Sequence, residues 1–281
     1  TRRSTRLPHR GGEGFTDPRA MAGSRGGRAR PRPRGEAVPA GAVRAWMKRW
    51  GVCGYDESTG TGLVRHVYVR VNRRGESLCC LLVNGEKLPH EAELVEEVRS
   101  AAPATVGVVL GVNKRPGNVI LGQSYRTLWG SEVLTDTMCG LTFQLSVPSF
   151  YQVNTPQAER LYGKALDFAA LTGEETALDL YCGIGTITLC LAGRAKRAIG
   201  AEIVPEAIED ARENARRNHV DNAEFFCGDA SDVAERPLKE GRRPHLIRLD
   251  PPRKGPAAGG GGTVAGDQHR RRACVSRRPG T

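Results

Sequence analysis

The chain of 281 residues is long enough for two domains, each with a hydrophobic core of its own. Its formal net charge is +11, but residues 1–40 and 251–281 carry net charges of +7 and +6, so the stretch between them is slightly acidic. The basic composition is therefore no argument that the middle of the chain binds nucleic acid. No apolar run approaches the length of a transmembrane helix, and we expect no membrane association.

The two ends differ in composition from the rest of the chain. Residues 1–40 are rich in Arg, Gly and Pro without hydrophobic periodicity, and residues 256–281 combine a glycine run with an arginine cluster. Such segments bury too little apolar surface to offset chain entropy. This predicts a disordered segment at 1–40 and an aberrant, poorly ordered tail at 256–281. Two alternatives stay open: Arg/Gly-type RNA-binding tails, or GC-rich coding sequence translated in a wrong frame.

The eight cysteines show no Cys-x-x-Cys pair and no Cys/His spacing typical of zinc or an iron–sulfur cluster. We therefore expect no metal centre and interpret the cysteines as small apolar residues in a reducing compartment. The basic start is not followed by the apolar core of a signal peptide. Together these features predict a cytoplasmic protein.

Residues 41–133 predict a small α+β domain. Val43, Trp46, Met47 and Trp50 repeat at helical spacing, which places both tryptophans in a core. The other predicted elements are strands at Val67–Val71 and Leu78–Val83, a helix at Glu91–Ala102, and strands at Val106–Val112 and Asn118–Leu121. This pattern alone does not indicate a function.

Residues 134–255 predict a second domain, in which strands and helices alternate. Asn154-Thr155-Pro156 is typical of a helix start, because a capping side chain is followed by proline in the first turn. The predicted elements are that helix with an apolar stripe of Leu161, Tyr162, Ala165, Leu166 and Ala169, a strand at Thr176–Leu180, a helix, a strand at Arg197–Ala201, a helix at Pro205–Asn218, and strands at Glu224–Cys227 and His245–Leu249. The alternation predicts a doubly wound, mainly parallel sheet.

Glycines and acids then follow the strands in a regular way. Gly183 and Gly185 come directly after the first strand, where glycine lets the backbone approach a ligand closely. Glu202, Asp229 and Asp250 end the next three strands and are expected at one crevice, although an acid in such a place can also simply cap the following helix. The G-x-G-x-x-G pattern of dinucleotide sites is absent, so S-adenosylmethionine is the better ligand. Arg248 is expected to disturb the packing near Asp250, because this strand should be apolar on both faces.

Four ordered motifs resemble those of the RNA (uracil-5-)-methyltransferase family, with the closest similarity to its bacterial 23S ribosomal RNA members. They are Phe150-Tyr151-Gln152-Val153-Asn154, the loop Asp179–Thr186, Glu202-Ile203-Val204-Pro205-Glu206-Ala207, and Asp250-Pro251-Pro252-Arg253-Lys254-Gly255. The resemblance implies an α/β fold in which a Rossmann-like S-adenosylmethionine methyltransferase domain, incomplete at its C-terminus, occupies residues 134–255. The preceding domain, 41–133, would contact RNA. The family's N-terminal barrel and its cluster-binding cysteines have no counterpart.

The same resemblance implies the site residues. The side chains that would contact S-adenosylmethionine are Gln152, Tyr181, Thr186, Glu202, Asp229 and Asp250. The implied partner is RNA, 23S ribosomal RNA in particular, and we expect a monomer.

The implied chemistry needs a cysteine thiolate that adds to carbon 6 of uracil, and a general base that removes the proton from carbon 5. In the family the cysteine lies in a Val-Ser-Cys-Asp/Asn-Pro-Ala/Gly-Thr pattern, about 27 residues after the aspartate of the Asp-Pro-Pro motif. This chain has Val275-Ser276-Arg277-Arg278-Pro279-Gly280-Thr281, with Arg277 at the position of the nucleophile. Cys274 would project to the opposite face, and the chain ends before the position of the family's base. No catalytic residue is therefore assigned.

Three functions follow as alternatives. The first is an enzyme that forms 5-methyluridine in ribosomal RNA, impaired by Arg277. The second is an inactive remnant that binds RNA or the cofactor. The third is a methyltransferase of another substrate class, although Arg253 stands where nitrogen-methylating enzymes carry an aromatic residue.

Overall fold

The computed structural model describes residues 3–5, 34–117, 119–239, 244–250 and 271–274. The chain divides into two units, Thr1–Leu134 and Thr135–Thr281. Asp250 is the last described residue of its segment, and Arg253, Lys254 and Arg277 lie outside the described residues.

The first unit contains a five-stranded sheet of order β1-β2-β3-β4-β5. Its elements are β1 (Arg3–Thr5), α1 (Arg34–Trp50), β2 (Val64–Val71), β3 (Ser77–Val83), α2 (Glu91–Ala101), β4 (Thr105–Val112) and β5 (Ser124–Gly130). The β3–β4 pair is parallel, and α2 supplies the crossover that a parallel pair needs. All of β3 is buried, and residues of α1 and α2 share a core cluster with Cys79, Leu81 and Val83.

The predicted elements of this unit are confirmed except at two places. Trp50 is 39% exposed at the end of α1 and stacks on His90 with ring centroids 4.0 Å apart, whereas Trp46 is fully buried. The predicted strand at Asn118–Leu121 is wrong. Asn118 lies outside the described residues, and residues 119–121 belong to a loop in which the amide of Asn113 donates to the Val119 carbonyl. Three apolar residues before Gly122 are too few for a strand, and β5 begins beyond them.

The second unit contains a parallel sheet and a separate two-stranded sheet, β6-β7. Its elements are β6 (Val133–Met138), β7 (Leu141–Ser146), α3 (Thr155–Ala169), β8 (Thr176–Leu180), α4 (Thr186–Ala192), β9 (Arg197–Glu202), α5 (Pro205–Arg217), β10 (Ala223–Cys227), α6 (Ala230–Lys239), β11 (Leu246–Leu249) and β12 (Arg271–Cys274). The parallel sheet has the order β10-β9-β8-β11-β12, and each neighbouring pair is parallel. This confirms the predicted Rossmann-like α/β fold.

The strand order defines where a ligand can bind. The chain leaves β8 through α4 to β9 on one side, while β11 pairs with β8 on the other side. A crevice therefore opens outside the carboxyl end of β8, at the topological switch point where doubly wound sheets bind their ligands. Beneath it lies a core that includes Leu178, Leu180 and Ile199.

Helix α3 begins as the sequence predicts. The Asn154 side chain accepts a hydrogen bond from the backbone N–H of Gln157, and Pro156 occupies the first turn. Of the predicted stripe, Tyr162 and Leu166 are buried, but Leu161 is 47% exposed. The buried face of α3 is therefore narrower than the stripe of apolar residues predicted from the sequence.

Two short strands lie in segments for which composition predicts disorder. Strand β1 pairs antiparallel with β2, and β12 pairs parallel with β11. Helix α1 likewise begins at Arg34, within the predicted disordered segment. The open edge of a sheet offers unpaired backbone groups, so a short strand can add to it without a core of its own.

Candidate functional site

The loop after β8 makes the floor of the crevice. Tyr181, Gly183 and Gly185 all have positive φ angles, of 68°, 56° and 81°, so the backbone turns sharply between β8 and α4. A Cβ on Gly183 would meet nothing within 4 Å, whereas a Cβ on Gly185 would lie 2.9 Å from a ring carbon of Phe225. Gly183 thus faces open space. Gly185 is required by packing against the sheet.

Glu202, at the end of β9, ties this loop to its own strand. Its Oε2 accepts from the backbone N–H of Gly183 at 3.1 Å, and its Oε1 accepts from the N–H groups of Ile203 and Val204 at 2.8 and 3.2 Å. A carboxylate has about four acceptor sites, so capacity remains for a ligand hydroxyl. This predicted site residue is therefore held in place by three backbone amides.

Asp229, after β10, caps the following helix. Its Oδ1 accepts from the backbone N–H of Ser231 at 2.8 Å, and hydrogen bonds from the backbone and side chain of Ser231 lower its pKa. The pKa of Tyr181 is raised by partial burial and further by the charges of Asp229 and Glu202. These three predicted residues therefore gather at one crevice, although Asp229 also fulfils the alternative capping role.

Asp250, after β11, is anchored by its own strand. Arg248 donates from Nη2 to Asp250 Oδ2 and from Nη1 to Asp179 Oδ1, both at 2.8 Å. The side chains of Arg248 and Asp179 are 9% and 1% exposed. Burial acts to lower the pKa of Arg248, but the two carboxylates outweigh it and raise the pKa. The expectation that Arg248 disturbs the sheet is wrong, because the guanidinium finds acids on both sides.

The other two predicted residues lie at the border of this group. Thr186 is half-buried at the start of α4, with its hydroxyl 3.4 Å from that of Tyr162. Gln152 is half-buried in the segment between β7 and α3, and no hydrogen bond among the described residues joins it to the other five. The structure thus brings together Tyr181, Glu202 and Asp229, and places Asp250 on a neighbouring strand.

A polar ladder on α5, which sequence reasoning missed, holds the strand that leads to Gln152. Asp210, Asn214 and Asn218 follow each other at four-residue spacing and face β7. Asn214 Oδ1 accepts from the N–H of Gln144, and Asn218 Oδ1 accepts from that of Thr142, both at 2.8 Å. The available signal was this run of short polar residues on a helix face that otherwise carries Ile and Ala.

Two members of the ladder make further hydrogen bonds. Asp210 Oδ2 accepts from the hydroxyls of Ser146 and Ser149 at 2.9 and 2.7 Å. Asn214, fully buried, also donates to the carbonyl of Ile184 in the glycine loop at 3.3 Å. One helix therefore positions both the glycine loop and the segment that contains Gln152.

The cysteine of the loop is not arranged as a nucleophile. Burial raises the pKa of Cys182 well above its usual value, and the charges of Asp179 and Glu202 act in the same direction. A thiol in this state has almost no thiolate at neutral pH. The described part of the crevice presents hydrogen-bond acceptors around a glycine turn, and it contains no activated thiol.

This chain is similar to known methyltransferases. A family model described as a methyltransferase domain matches residues 171–242. An uncharacterized RNA methyltransferase of Halalkalibacterium halodurans is 46% identical over 214 residues, which are 76% of this chain and 47% of the relative. An uncharacterized RNA methyltransferase of Listeria innocua is 43% identical over 214 residues, again 76% of this chain and 47% of the relative. Over the matched residues, this chain is similar to proteins named RNA methyltransferases. This chain spans about half the length of these relatives.

A solved structure shares the fold. The tRNA (uracil-54, C5)-methyltransferase of Pyrococcus abyssi, in complex with S-adenosyl-L-homocysteine, superposes with a TM-score of 0.63 at 24% identity. The superposition covers 77% of this chain and 51% of that one. The similarity supports the α/β fold described above.

Two kinds of feature do not occur among the residues that the structure describes. In those residues, no group of three or more His, Cys, Asp or Glu side chains could hold a metal ion. Nor is any described helix long and apolar enough to cross a membrane.

Proposed function

We propose that the second unit binds S-adenosylmethionine and that the chain derives from enzymes that form 5-methyluridine in RNA, 23S ribosomal RNA in particular. The observation that carries the proposal is the crevice at the end of β8. There an open glycine turn, a ring and two carboxylates converge outside the switch point of a parallel sheet. When bound, the cofactor supplies an activated methyl group.

The residues of the crevice suit the different parts of this cofactor. Glu202 has free acceptor capacity for a ribose hydroxyl, and its position is fixed by three amides. Tyr181 offers a flat ring, and Gly183 leaves room for close approach of the backbone. We assign Gln152, Thr186, Asp229 and Asp250 to the cofactor site as well.

The RNA substrate is proposed from similarity. The bacterial relatives are named RNA methyltransferases, and the structurally similar enzyme of Pyrococcus abyssi is named for carbon 5 of a tRNA uracil. The motif Asp250-Pro251-Pro252-Arg253 supports the same class. Carbon 5 of uracil is therefore the favoured target.

Methyl transfer is proposed to be impaired in this chain. Arg277 occupies the position of the thiol nucleophile, and a guanidinium stays protonated, so it cannot add to carbon 6 of uracil. Cys182 does not replace it, because burial keeps its thiol protonated. The chain then retains a cofactor site without the group that activates the base.

The test measures transfer of a radiolabelled methyl group from S-adenosylmethionine to unmodified 23S ribosomal RNA, followed by nucleoside analysis. We expect no 5-methyluridine from this chain. Arg277→Cys with a family-like C-terminus should restore it, whereas Arg278→Cys in the same background is the matched control and should not. Formation of 5-methyluridine by the unchanged chain would overturn the impairment. Label on another nucleoside in the restored protein would overturn the uracil assignment.

A further inference from the structure

Arg248 lies where the sheet should be apolar. Strand β11 is flanked by β8 and β12, and its neighbours Leu246 and Ile247 are buried. The register pairs Arg248 with Asp179 of β8. A guanidinium at this place has to be desolvated, which costs several kcal/mol per ion unless partners compensate.

The partners of Arg248 belong to two different environments. Asp179 is fully buried, and its Oδ2 accepts from the Thr188 hydroxyl at 2.6 Å, so this acid lies in the core. Asp250 is 41% exposed and follows β11, the strand beside β8. Arg248 therefore forms a bridge from a fixed internal acid to an acid at the ligand site.

The two carboxylate oxygens of Asp250 differ in their hydrogen bonding. Oδ2 accepts from Arg248 at 2.8 Å, whereas Oδ1 has no hydrogen bond within the described residues. A free aspartate samples several rotamers, and ordering one costs entropy when a ligand binds. With Oδ2 fixed, Oδ1 is presented in one orientation before the ligand arrives.

We infer that Arg248 is a positioning residue for the cofactor site, which holds Asp250 in its binding orientation by anchoring it to Asp179. The inference rests on the proposed function, because it assigns Asp250 to the S-adenosylmethionine site. A buried ion pair adds little stability over a well-packed apolar pair, so the main consequence of Arg248 is the orientation of Asp250.

The test uses calorimetric binding of S-adenosylhomocysteine by the full chain. Arg248→Met alone leaves Asp179 buried and uncompensated, so it destabilises the fold and is uninformative by itself. Asp179→Asn with Arg248→Met removes both charges and keeps an oxygen for Thr188. We expect this double variant to melt close to the unchanged chain and to bind about tenfold more weakly, within the coupling range of contacting residues.

A third variant separates positioning from structural support. Adding Asp250→Asn to the double variant should weaken binding by less than twofold further, whereas Asp250→Asn alone should weaken it about tenfold, because both changes act through one side chain. Wild-type affinity in the double variant, or full additivity, would overturn the positioning role. Absence of binding by the unchanged chain would instead contradict the proposed function.

Discussion

Alanine at Gly183 and alanine at Gly185 should rank in opposite order in their effects on stability and on ligand binding. Both glycines have positive φ angles, 56° and 81°, and alanine in the left-handed region costs about 1 kcal/mol in either case. The surroundings differ. A methyl group at Gly183 would enter open space, whereas one at Gly185 would lie 2.9 and 3.0 Å from two ring carbons of Phe225.

The expected free energies follow from these distances. Gly183→Ala should lower the free energy of unfolding by about 1 kcal/mol, since only backbone strain is added. Gly185→Ala should lower it by about 2–4 kcal/mol, because overpacking against Phe225 adds to the strain. For ligand binding the order reverses. The methyl group of Gly183→Ala occupies the crevice and should weaken S-adenosylhomocysteine binding by about tenfold or more.

The assay combines urea unfolding followed by far-UV circular dichroism with calorimetric titration of the ligand. All three tryptophans, Trp46, Trp50 and Trp129, lie in the first unit, so fluorescence reports separately on that unit. Equal stability of Gly185→Ala and Gly183→Ala would refute the packing role of Gly185. Ligand binding by Gly183→Ala as tight as that of the unchanged chain would refute the close approach of the ligand to Gly183.

Three further outcomes are expected. Asn214→Ala should lower the free energy of unfolding by about 2–4 kcal/mol, because the Gln144 N–H and the Ile184 carbonyl lose a buried partner. Alanine at the exposed Glu209 of the same helix should change this free energy by less than about 0.5 kcal/mol. Equal effects of the two substitutions would contradict the structural role of the polar ladder. Burial raises the pKa of Cys79 to about 12, so this thiol should not react with Ellman's reagent at pH 8 in the folded chain. The exposed Cys53 and Cys227 should react under the same conditions. Rapid labelling of Cys79 would show that the core of the first unit is open. Glu175 should titrate near pH 2 by NMR, because the backbone and side chain of Thr172 donate to it and lower its pKa to about 2. Its contribution to stability should be complete above pH 4.5 and lost as the pH falls toward 2, and an unchanged pKa after Thr172→Ala would argue against the hydroxyl's part.

The sequence predicted the second unit well because its elements are local. Strand β8 has the predicted bounds, Thr176–Leu180, and α5 differs from its prediction by one residue at its end. Apolar runs bounded by glycine and by capping residues carry this information within a few positions. Three acids of the candidate site were predicted for the same reason, because each lies at the end of a strand or within two residues after it.

The features that the sequence did not predict depend on tertiary neighbours. Strands β6 and β7 carry polar residues, such as Thr135 and Gln144, that interrupt the apolar pattern, and β7 is held by side chains of α5 that lie some 70 positions away. A charged residue such as Arg248 is unfavourable in a parallel strand that is buried on both faces. Its presence is explained by the register, which places Asp179 beside it as an ion-pair partner. Long-range pairing of this kind has no signature in a single sequence.

The outcome at Trp50 shows a limit of helical periodicity. Trp50 shares the spacing of Val43 and Trp46, but it is the last residue of α1, where the chain turns at Gly51 with a φ of 64°. A stripe predicts which face is buried, and it does not predict where the neighbouring element ends. Trp50 is consequently covered by one ring, that of His90.

Calorimetric titration of S-adenosylhomocysteine into the chain tests the central claim most directly, with Glu202→Gln and Glu206→Gln as a matched pair. Glu202 faces the glycine loop, and Glu206 is exposed in the first turn of α5. We predict one site per chain, weakened about tenfold or more by Glu202→Gln, since a charged acceptor is lost, and changed less than twofold by Glu206→Gln. No binding by the unchanged chain, or equal binding by both variants, would contradict a cofactor site at the end of β8.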